Sequence, residues 1–288
     1  MSQKVTLSRH NSRVNSKGNV MKPNHNDRDF ESERELVGSG NVYWHLWNKE
    51  QLTFEAVEER AYNKIYGDYI VQMNEKAYAN HDYKRLKTAK TLLESKRTAP
   101  EETLFYLGDM ANHASKAQMI QFMNKFQTYM KDNYGDNFKI LDMAVHVDED
   151  GAPHVHERHT FIGHKEDGTA YPSQEKALEE MDIPLPDPTK KSSKFNNRKM
   201  TFDANVRKAC KEIAKEVGLE ILPEAQDSKH PNRNLSQYIY NLGKKKQQLE
   251  EEVESLENAS QQQRDFIYEQ EAAKRSFSAL STGPIMPS

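Results

Sequence analysis

Apolar residues recur along the chain with two different periods, and the switches between them mark the elements. From Phe138 to Asp148 the spacing is two: Leu141, Met143, Val145 and Val147 fall on one side, and Asp142, Ala144, His146 and Asp148 on the other. That alternation predicts a strand with one buried face. Asp150-Gly151 is a turn signal, and Pro153–Ile162 then predicts a returning strand. Thr103–Met110 and the stretch VTLSRH from Val5 read as two further strands. Between them the period changes to that of a helix. Residues 114–133 place Met119, Phe122, Met123, Phe126 and Met130 on one stripe, which reads as core. Residues 203–217 do the same with Val206, Ala209, Cys210, Ile213 and Val217, and Gly218 supplies the stop. Residues 50–97 read as helices, with Tyr62, Tyr66 and Tyr69 at helical spacing. Residues 11–40 and 164–200 are rich in Asn, Ser, Gly and Pro and predict loops.

Strands and helices alternating in this order predict an α+β body, a central antiparallel sheet flanked by helices. The body is expected over 1–222, with a linker at 223–243. A helical segment of coiled-coil type follows at 244–276, where Leu249, Val253 and Leu256 continue a heptad-like series from Leu242. A disordered tail is expected at 277–288. Composition agrees: with 35% hydrophobic and 30% charged residues in 288, the chain can build one core but not one through every segment. Its single cysteine, Cys210, rules out a disulfide framework and a cysteine-based zinc site. There is no apolar run of membrane-helix length and no signal-peptide stretch, so a cytoplasmic protein with no membrane segment is expected.

The net charge of -3 conceals an asymmetry. Lys4, Arg9, Arg13, Lys17, Lys22 and Arg28 crowd the N-terminus, and Lys190, Lys191, Lys194, Arg198 and Lys199 crowd the approach to the last body helix. Residues 250–271 are strongly acidic. Two basic segments suggest a polyanion partner for the body, and the acidic tail a separate task.

The candidate chemistry lies at residues 146–159, HVDEDGAPHVHERH. His154 and His156 project from one face of one strand, and the turn brings His146 of the preceding strand beside them. Three imidazoles on a rigid hairpin can hold one divalent ion and leave coordination positions open, the arrangement of a catalytic metal. Asp148 and Glu149 are near enough to orient a ligand histidine or adjust the charge of the site. His159, on the opposite strand face, reads as a packed or hydrogen-bonded residue.

HVDEDGAPHVH resembles the His-x-Asp-Glu…Pro-His-x-His signature of the plasmid recombination and mobilisation relaxases, the Pre/Mob family, within the wider class of endonucleases with a histidine–hydrophobic–histidine (HUH) metal motif. The N-terminus agrees: SRHNSR at 8–13 and HNDRDF at 25–30 resemble the family's His-Asn-x-Arg element. The resemblance covers roughly residues 5–222 and implies a five-stranded sheet. It implies an enzyme that nicks one strand of plasmid or mobile-element DNA at an origin of transfer, in conjugation and mobilisation. Nicking would be a metal-assisted transesterification with a covalent protein–DNA intermediate. The cofactor would be Mn2+ or Mg2+, and the substrate a single-stranded or hairpin origin on supercoiled plasmid. His25 carries over as the nucleophile, with Arg28 fixing the phosphate, and His146, His154 and His156 as metal ligands. Asp148 and Glu149 would serve the catalytic site. Arg9, His10, Arg13, Asn26, Lys190, Lys191, Lys194, Arg198 and Lys199 would meet DNA. The C-terminal helix would serve self-association or other transfer proteins.

Several alternatives stay open at this stage. His10 rivals His25 because HNSR repeats the pattern, and Tyr62, Tyr66 and Tyr69 are alternative nucleophiles. A rolling-circle replication initiator or a transposase would share the metal motif. An unrelated histidine-metal enzyme would leave the basic segments unexplained, and a non-catalytic DNA-binding protein would leave the three histidines so.

Overall fold

The computed structural model describes residues 2–27, 41–45, 52–147, 152–222 and 235–280. β1 (Gln3–Val5) and β2 (Leu7–Ser12) precede a 3-10 turn, Pro23–His25, and β3 (Val42–His45). α1 (Phe54–Ala79) and α2 (Ala89–Leu93) lead to β4 (Glu101–Leu107), α3 (Lys116–Tyr134), β5 (Phe138–His146) and β6 (His154–His164). β7 (Ala170–Pro172), α4 (Gln174–Glu180), α5 (Arg198–Glu216) and β8 (Leu219–Ile221) follow, then α6 (Leu235–Leu280). The chain divides into two compact units, Met1–Glu224 and Ala225–Ser288.

The first unit is α+β, as the sequence predicts. Its sheet runs β2-β4-β6-β5-β3, antiparallel throughout, with β7 paired to the far end of β6, so it has six strands rather than five. β1 pairs in parallel with β8 as a separate ribbon. The segment 164–200, expected as loop, contains β7, α4 and the start of α5. α4 is too short to show a period, burying only Ala177 and Leu178. α5 begins earlier than the apolar stripe suggests because its first turn is polar. Asn197 caps it, its side chain accepting the Met200 backbone N–H at 3.1 Å.

The two faces of the sheet have different tasks. Leu7, Phe105, Leu107, Val155, Met143 and Val145 face α3 and α5 and form the main core with Met119, Phe122, Phe126, Phe202 and Val206. The other face carries Glu102, Tyr106, His146, His154, His156 and Arg158, and α1 covers part of it with Ala61, Tyr62 and Tyr66. One sequence expectation is corrected here. Leu141 does not share a face with Met143 and Val145. The β5–β6 register shifts between Ile140 and Asp142, and Leu141 packs with the α1 cluster instead. A β-bulge of this kind takes one extra residue into the strand and resets its facing.

The second unit is described through α6, which extends beyond the expected 244–276 at both ends and takes in part of the predicted linker. The rest of the linker, 223–234, and the tail from 281 lie outside the described residues. Among the described residues no helix is long and apolar enough to cross a membrane.

Candidate metal centre

The hairpin of β5 and β6 sets His146 directly opposite His154, and His156 pairs with Ala144 one step on. Side chains opposite each other in an antiparallel pair share a face, so all three imidazoles point the same way. They are buried, and their ring centroids lie 4.8 Å (His146–His156), 5.0 Å (His154–His156) and 5.5 Å (His146–His154) apart. A fourth imidazole joins from a distant part of the sequence. The 3-10 turn Pro23–His25 sets the half-buried His25 ring 5.2 Å from His156 and 5.7 Å from His146. His25, His146 and His156 bring ligand atoms within 4.8 Å of one another.

Hydrogen bonds settle which ring nitrogens face inward. His154 Nδ1 lies 3.1 Å from the Ala152 carbonyl oxygen, and His156 Nδ1 lies 2.9 Å from Glu102 Oε1. Both partners only accept, so each Nδ1 carries the hydrogen and each Nε2 carries a lone pair. The two Nε2 atoms face each other at 3.2 Å. Two lone pairs at that distance repel unless something positive lies between them. Ligand bonds of about 2.1 Å meeting at 90–110° would separate two nitrogens by about 3.0–3.4 Å, so the pair is spaced as chelating ligands are. His146 donates Nε2–H to the Asn26 carbonyl at 2.9 Å, which leaves its lone pair on Nδ1. The imidazoles therefore fit a divalent ion by donor type; by spacing the set is His25, His146 and His156, with His154 joining through its Nε2 beside that of His156.

Behind the histidines lies a buried ionic network. Glu102 accepts from His156 through Oε1, and through Oε2 from Asn26 Nδ2 at 3.1 Å and Arg158 Nη1 at 3.0 Å. Arg158 turns its other edge to Glu58, donating from Nε to Oε1 and from Nη2 to Oε2. Burial pushes the Glu102 carboxyl up, but the His156 hydrogen bond and the Arg158 charge outweigh it and hold its pKa down to about 2. Burial lowers the His156 pKa against the opposing pull of Glu102, which keeps the ring neutral, the form that binds metal. Asp142, fully buried, is raised well above the ordinary carboxyl range by burial and then by the Glu58 charge. A carboxylate holding a ligand histidine by its second nitrogen is a recurrent means of fixing ring orientation and strengthening the ligand.

The HND sequence at 25–27 thus has a structural sense. Asn26, expected at a DNA surface, is buried and binds both Glu102 and His146. Asp27 Oδ2 accepts the Phe54 backbone N–H at 2.6 Å and so anchors the start of α1. His10 lies on the same sheet face but on β2, with Leu104 of β4 between it and His156, and it does not join the imidazole group. Tyr62 and Tyr66 are core residues. Their hydroxyls are held by the Thr98 carbonyl and Thr160 at 2.7 Å each, and burial raises both pKa values well above the ordinary phenol range. Tyr69 packs near Tyr171, with rings 6.0 Å apart. Arg28, Asp148, Glu149 and the Asp150-Gly151 turn lie outside the described residues.

The basic residues divide into two kinds. Arg9, on the core face of β2, pairs with Asp203 at 2.7 Å, and Lys199 binds both Asp203 and Glu101. Arg13 reaches Gln174 at 2.8 Å, and Arg198 binds Glu175 and the Ile183 carbonyl. These charges hold the fold together. Lys190, Lys191 and Lys194 are exposed on an ordered loop. The buried Asn196 staples that loop by donating to the carbonyls of Asp187, Lys190 and Lys191. Phe195, 79% exposed, stands in the same loop with the Lys194 ammonium 5.6 Å from its ring.

Glu58, Glu102, Arg158 and Tyr106, whose ring stacks on His154 at 5.2 Å, were not singled out from sequence. Glu102 had a legible signal: an acid on the period-two face of an apolar strand needs a buried partner. Arg158 had the same signal inside HERH.

No family model matches the chain, and no curated protein matches it. Solved structures to which it is similar include the MobM relaxase domain (MOBV; Mob_Pre) bound to plasmid pMV158 oriT DNA, Mn-bound, with 14% identity and a TM-score of 0.44 over 82% of this chain and 98% of that one. A second structure of the same domain with a 22-nucleotide oriT strand gives 13% identity and a TM-score of 0.43 over 82% and 99%.

Proposed function

We propose that this chain is a DNA relaxase: it cuts one strand of mobile-element DNA by transesterification and keeps one end covalently attached. The observation that carries the reading is the convergence of His25 on His146 and His156, with His154 set against His156 so that their inward nitrogens are left as facing lone pairs. The resemblance of HVDEDGAPHVH and HNDR to the Pre/Mob family names the reaction class.

His146, His154 and His156 would hold the ion, Mn2+ or Mg2+. They are buried, they stand on a rigid hairpin, and two of them have their second nitrogens tied by Glu102 and Ala152. A divalent ion there would polarise a phosphate oxygen and draw off the charge that develops on it. His25 is the one imidazole of the four that is partly exposed. It can therefore reach a phosphodiester lying over the site. Its ring nitrogen would bond to phosphorus as the bond from phosphorus to the departing sugar oxygen breaks, and that oxygen would take up one proton from solvent. Asn26 and Asp27, tied to Glu102 and α1, fix the turn that aims His25. Arg28 would add charge to the phosphate, and Asp148 and Glu149 would serve the approach to the ion. The Lys190, Lys191 and Lys194 loop would follow the DNA backbone, with Phe195 offering a ring on which an unpaired base can stack.

The test is to incubate the protein with supercoiled plasmid carrying its own origin and Mn2+ or Mg2+. A relaxed product and an adduct that acid cleaves, as a phosphoramidate requires, support the reading. His25→Ala should lose the adduct while keeping metal affinity. An adduct that persists at the normal rate in His25→Ala removes His25 from the role. An absence of any nicking on origin DNA, with metal bound, removes the reaction.

A further inference from the structure

The far end of α1 carries a surface that neither the histidines nor the Lys190–Lys194 loop accounts for. α1 starts beside the site, where Asp27 accepts the Phe54 backbone N–H. It runs 26 residues to Ala79, about 39 Å at about 1.5 Å per residue. At that end Tyr78 and Tyr83 are 56% and 58% exposed, with their rings in edge contact at 5.8 Å. A tyrosine ring in water offers a large flat face that loses little freedom when something covers it. The helix stops on His81 with φ +54°, a left-handed position that glycine takes without a Cβ penalty. Histidine at that position brings an imidazole to the pair: its Nδ1 lies 3.5 Å from the Tyr83 hydroxyl.

From Tyr83 the chain returns along α1 towards the site. Asn74 bonds both backbone groups of Lys87, at 2.6 and 2.9 Å. Ala89 and Leu92 pack with Ala61, Tyr62 and Tyr66, and the Thr98 carbonyl accepts the Tyr62 hydroxyl. Over this return the charged side chains are Lys84, Arg85, Lys87, Lys90, Lys96 and Arg97, against Glu94 alone. Among the described residues only Arg85 of these cations is in a salt bridge, with Asp82 at 2.9 Å. Lys96 reaches the turn at Gly18. Met21, in the same loop, accepts from Arg158 Nη2 at 3.4 Å. The cations therefore form a line from the exposed rings to the border of the histidine site.

A line of unpaired cations ending on exposed rings matches one polyanion chemistry better than others. Single-stranded DNA presents phosphates for the cations and free base faces for the rings. A duplex hides those faces in its own stack, and an acidic peptide has none. At about 3.4 Å per stacked nucleotide, the length of α1 corresponds to about 11 nucleotides.

We infer that Tyr78, Tyr83 and the cations of residues 84–97 form a second DNA contact, a track that carries unpaired strand away from the histidine site. The choice of DNA as the occupant rests on the relaxase reading.

The test is fluorescence anisotropy of the full chain with a 25-nucleotide oligothymidylate in EDTA, so that neither metal nor cutting enters. Tyr78→Ala with Tyr83→Ala should weaken binding by about fivefold or more, the loss of at least one stacked base. Tyr83→Phe keeps the ring and should bind as the parent does. Lys84→Ala with Lys90→Ala should flatten the slope of log affinity against log salt by about 0.7 per lysine. All four side chains are exposed, and unchanged thermal unfolding shows that the variants are folded. Parent affinity in the double tyrosine variant overturns the inference. So does an equal loss towards a 25-base-pair duplex, or displacement of the strand by polyglutamate at equal charge, since either means a surface that reads charge alone. The relaxase reading fails separately. A chain that never nicks origin DNA but needs its tyrosines for oligothymidylate sinks that reading and keeps the track. A chain that nicks, with the tyrosine variant binding as the parent does, sinks the track and keeps the reading.

Discussion

His154 and His156 bring their Nε2 atoms to 3.2 Å of each other while each commits its Nδ1 hydrogen to an outside acceptor, Ala152 in one case and Glu102 in the other. Neither ring can relieve the contact by changing tautomer without losing that bond. The pair is therefore built for a third, positive participant.

Glu102 controls one half of that pair. Glu102→Gln keeps the shape and an acceptor oxygen but removes the charge. Metal affinity should fall by about 10–100-fold, read by calorimetry with Mn2+. Affinity within twofold of the parent would mean that His156 is oriented by packing alone.

Arg158 neutralises Glu58 and Glu102 from a fully buried position. Arg158→Met preserves much of its volume but leaves two carboxylates in the interior. A loss of about 3–5 kcal/mol in urea unfolding is expected, the cost of breaking a buried pair from one side. A loss below about 1 kcal/mol would mean that water reaches the cluster, since exposed pairs contribute no more than that.

Asp142 supplies a pH signature. Its folded pKa is raised above the unfolded value of 3.8. The folded state then binds the proton more tightly, and stability falls as pH rises from the unfolded pKa towards the folded one. Asp142→Asn removes that slope, so the variant should gain on the parent as pH rises above 3.8 and show no gain well below it. Parallel stability curves for the two proteins would show that Asp142 ionises freely in the fold. Glu102, held down to about 2, has the opposite sign: its contribution is complete above 4.5 and declines as pH falls towards 2.

The basic loop separates charge from stacking. Lys191→Ala with Lys194→Ala should flatten the dependence of log affinity on log salt by about 1.4, at about 0.7 per phosphate contact with single strands. Phe195→Ala should leave the slope alone and weaken single-strand binding by about 1–3 kcal/mol. Equal slopes for the lysine variant and the parent, in a fluorescence titration against salt, would take the loop off the DNA path.

Tyr66→Phe tests the nucleophile from the other side. It removes one buried hydroxyl bonded to Thr160, for about 1 kcal/mol of stability, and adduct formation should continue at the parent rate. Loss of the adduct with an intact fold would return the role to α1.

Much of this arrangement can be read from the chain alone. Period two in 138–148 and 153–162 is enough to place His146, His154 and His156 on one face, because a hairpin admits no other pairing that buries Met143, Val145 and Val155. The stripe of Met119, Phe122, Phe126 and Met130 marks α3 for the same reason. What the chain does not display is long-range pairing of charge. Nothing local in Glu58, Glu102 and Arg158 says that they meet, since they come from α1, β4 and β6. A run of lysines and arginines likewise looks uniform in sequence, and only the partners Asp203, Glu101 and Glu175 separate Arg9, Arg198 and Lys199 from Lys191 and Lys194. α4 and β7 are too short to have a period.

The bulge at Leu141 settles a question of parity. Phe138 and Ile140 are even-numbered and face the α3 side, whereas Met143 and Val145 are odd-numbered and face it too. An unbroken ladder would have to choose between the two sets. If it kept Phe138 and Ile140 inward, Asp142, Ala144 and His146 would turn with them into the oily layer, and His154 would stand across from nothing but backbone. One supernumerary residue keeps the strand's apolar side chains in the α3 layer along its whole length while Asp142, Ala144 and His146 line the opposite chamber. Removing Leu141 is therefore a different kind of lesion from truncating it. A smaller side chain leaves a gap, while a deletion reverses the sense of every residue on one side of the cut.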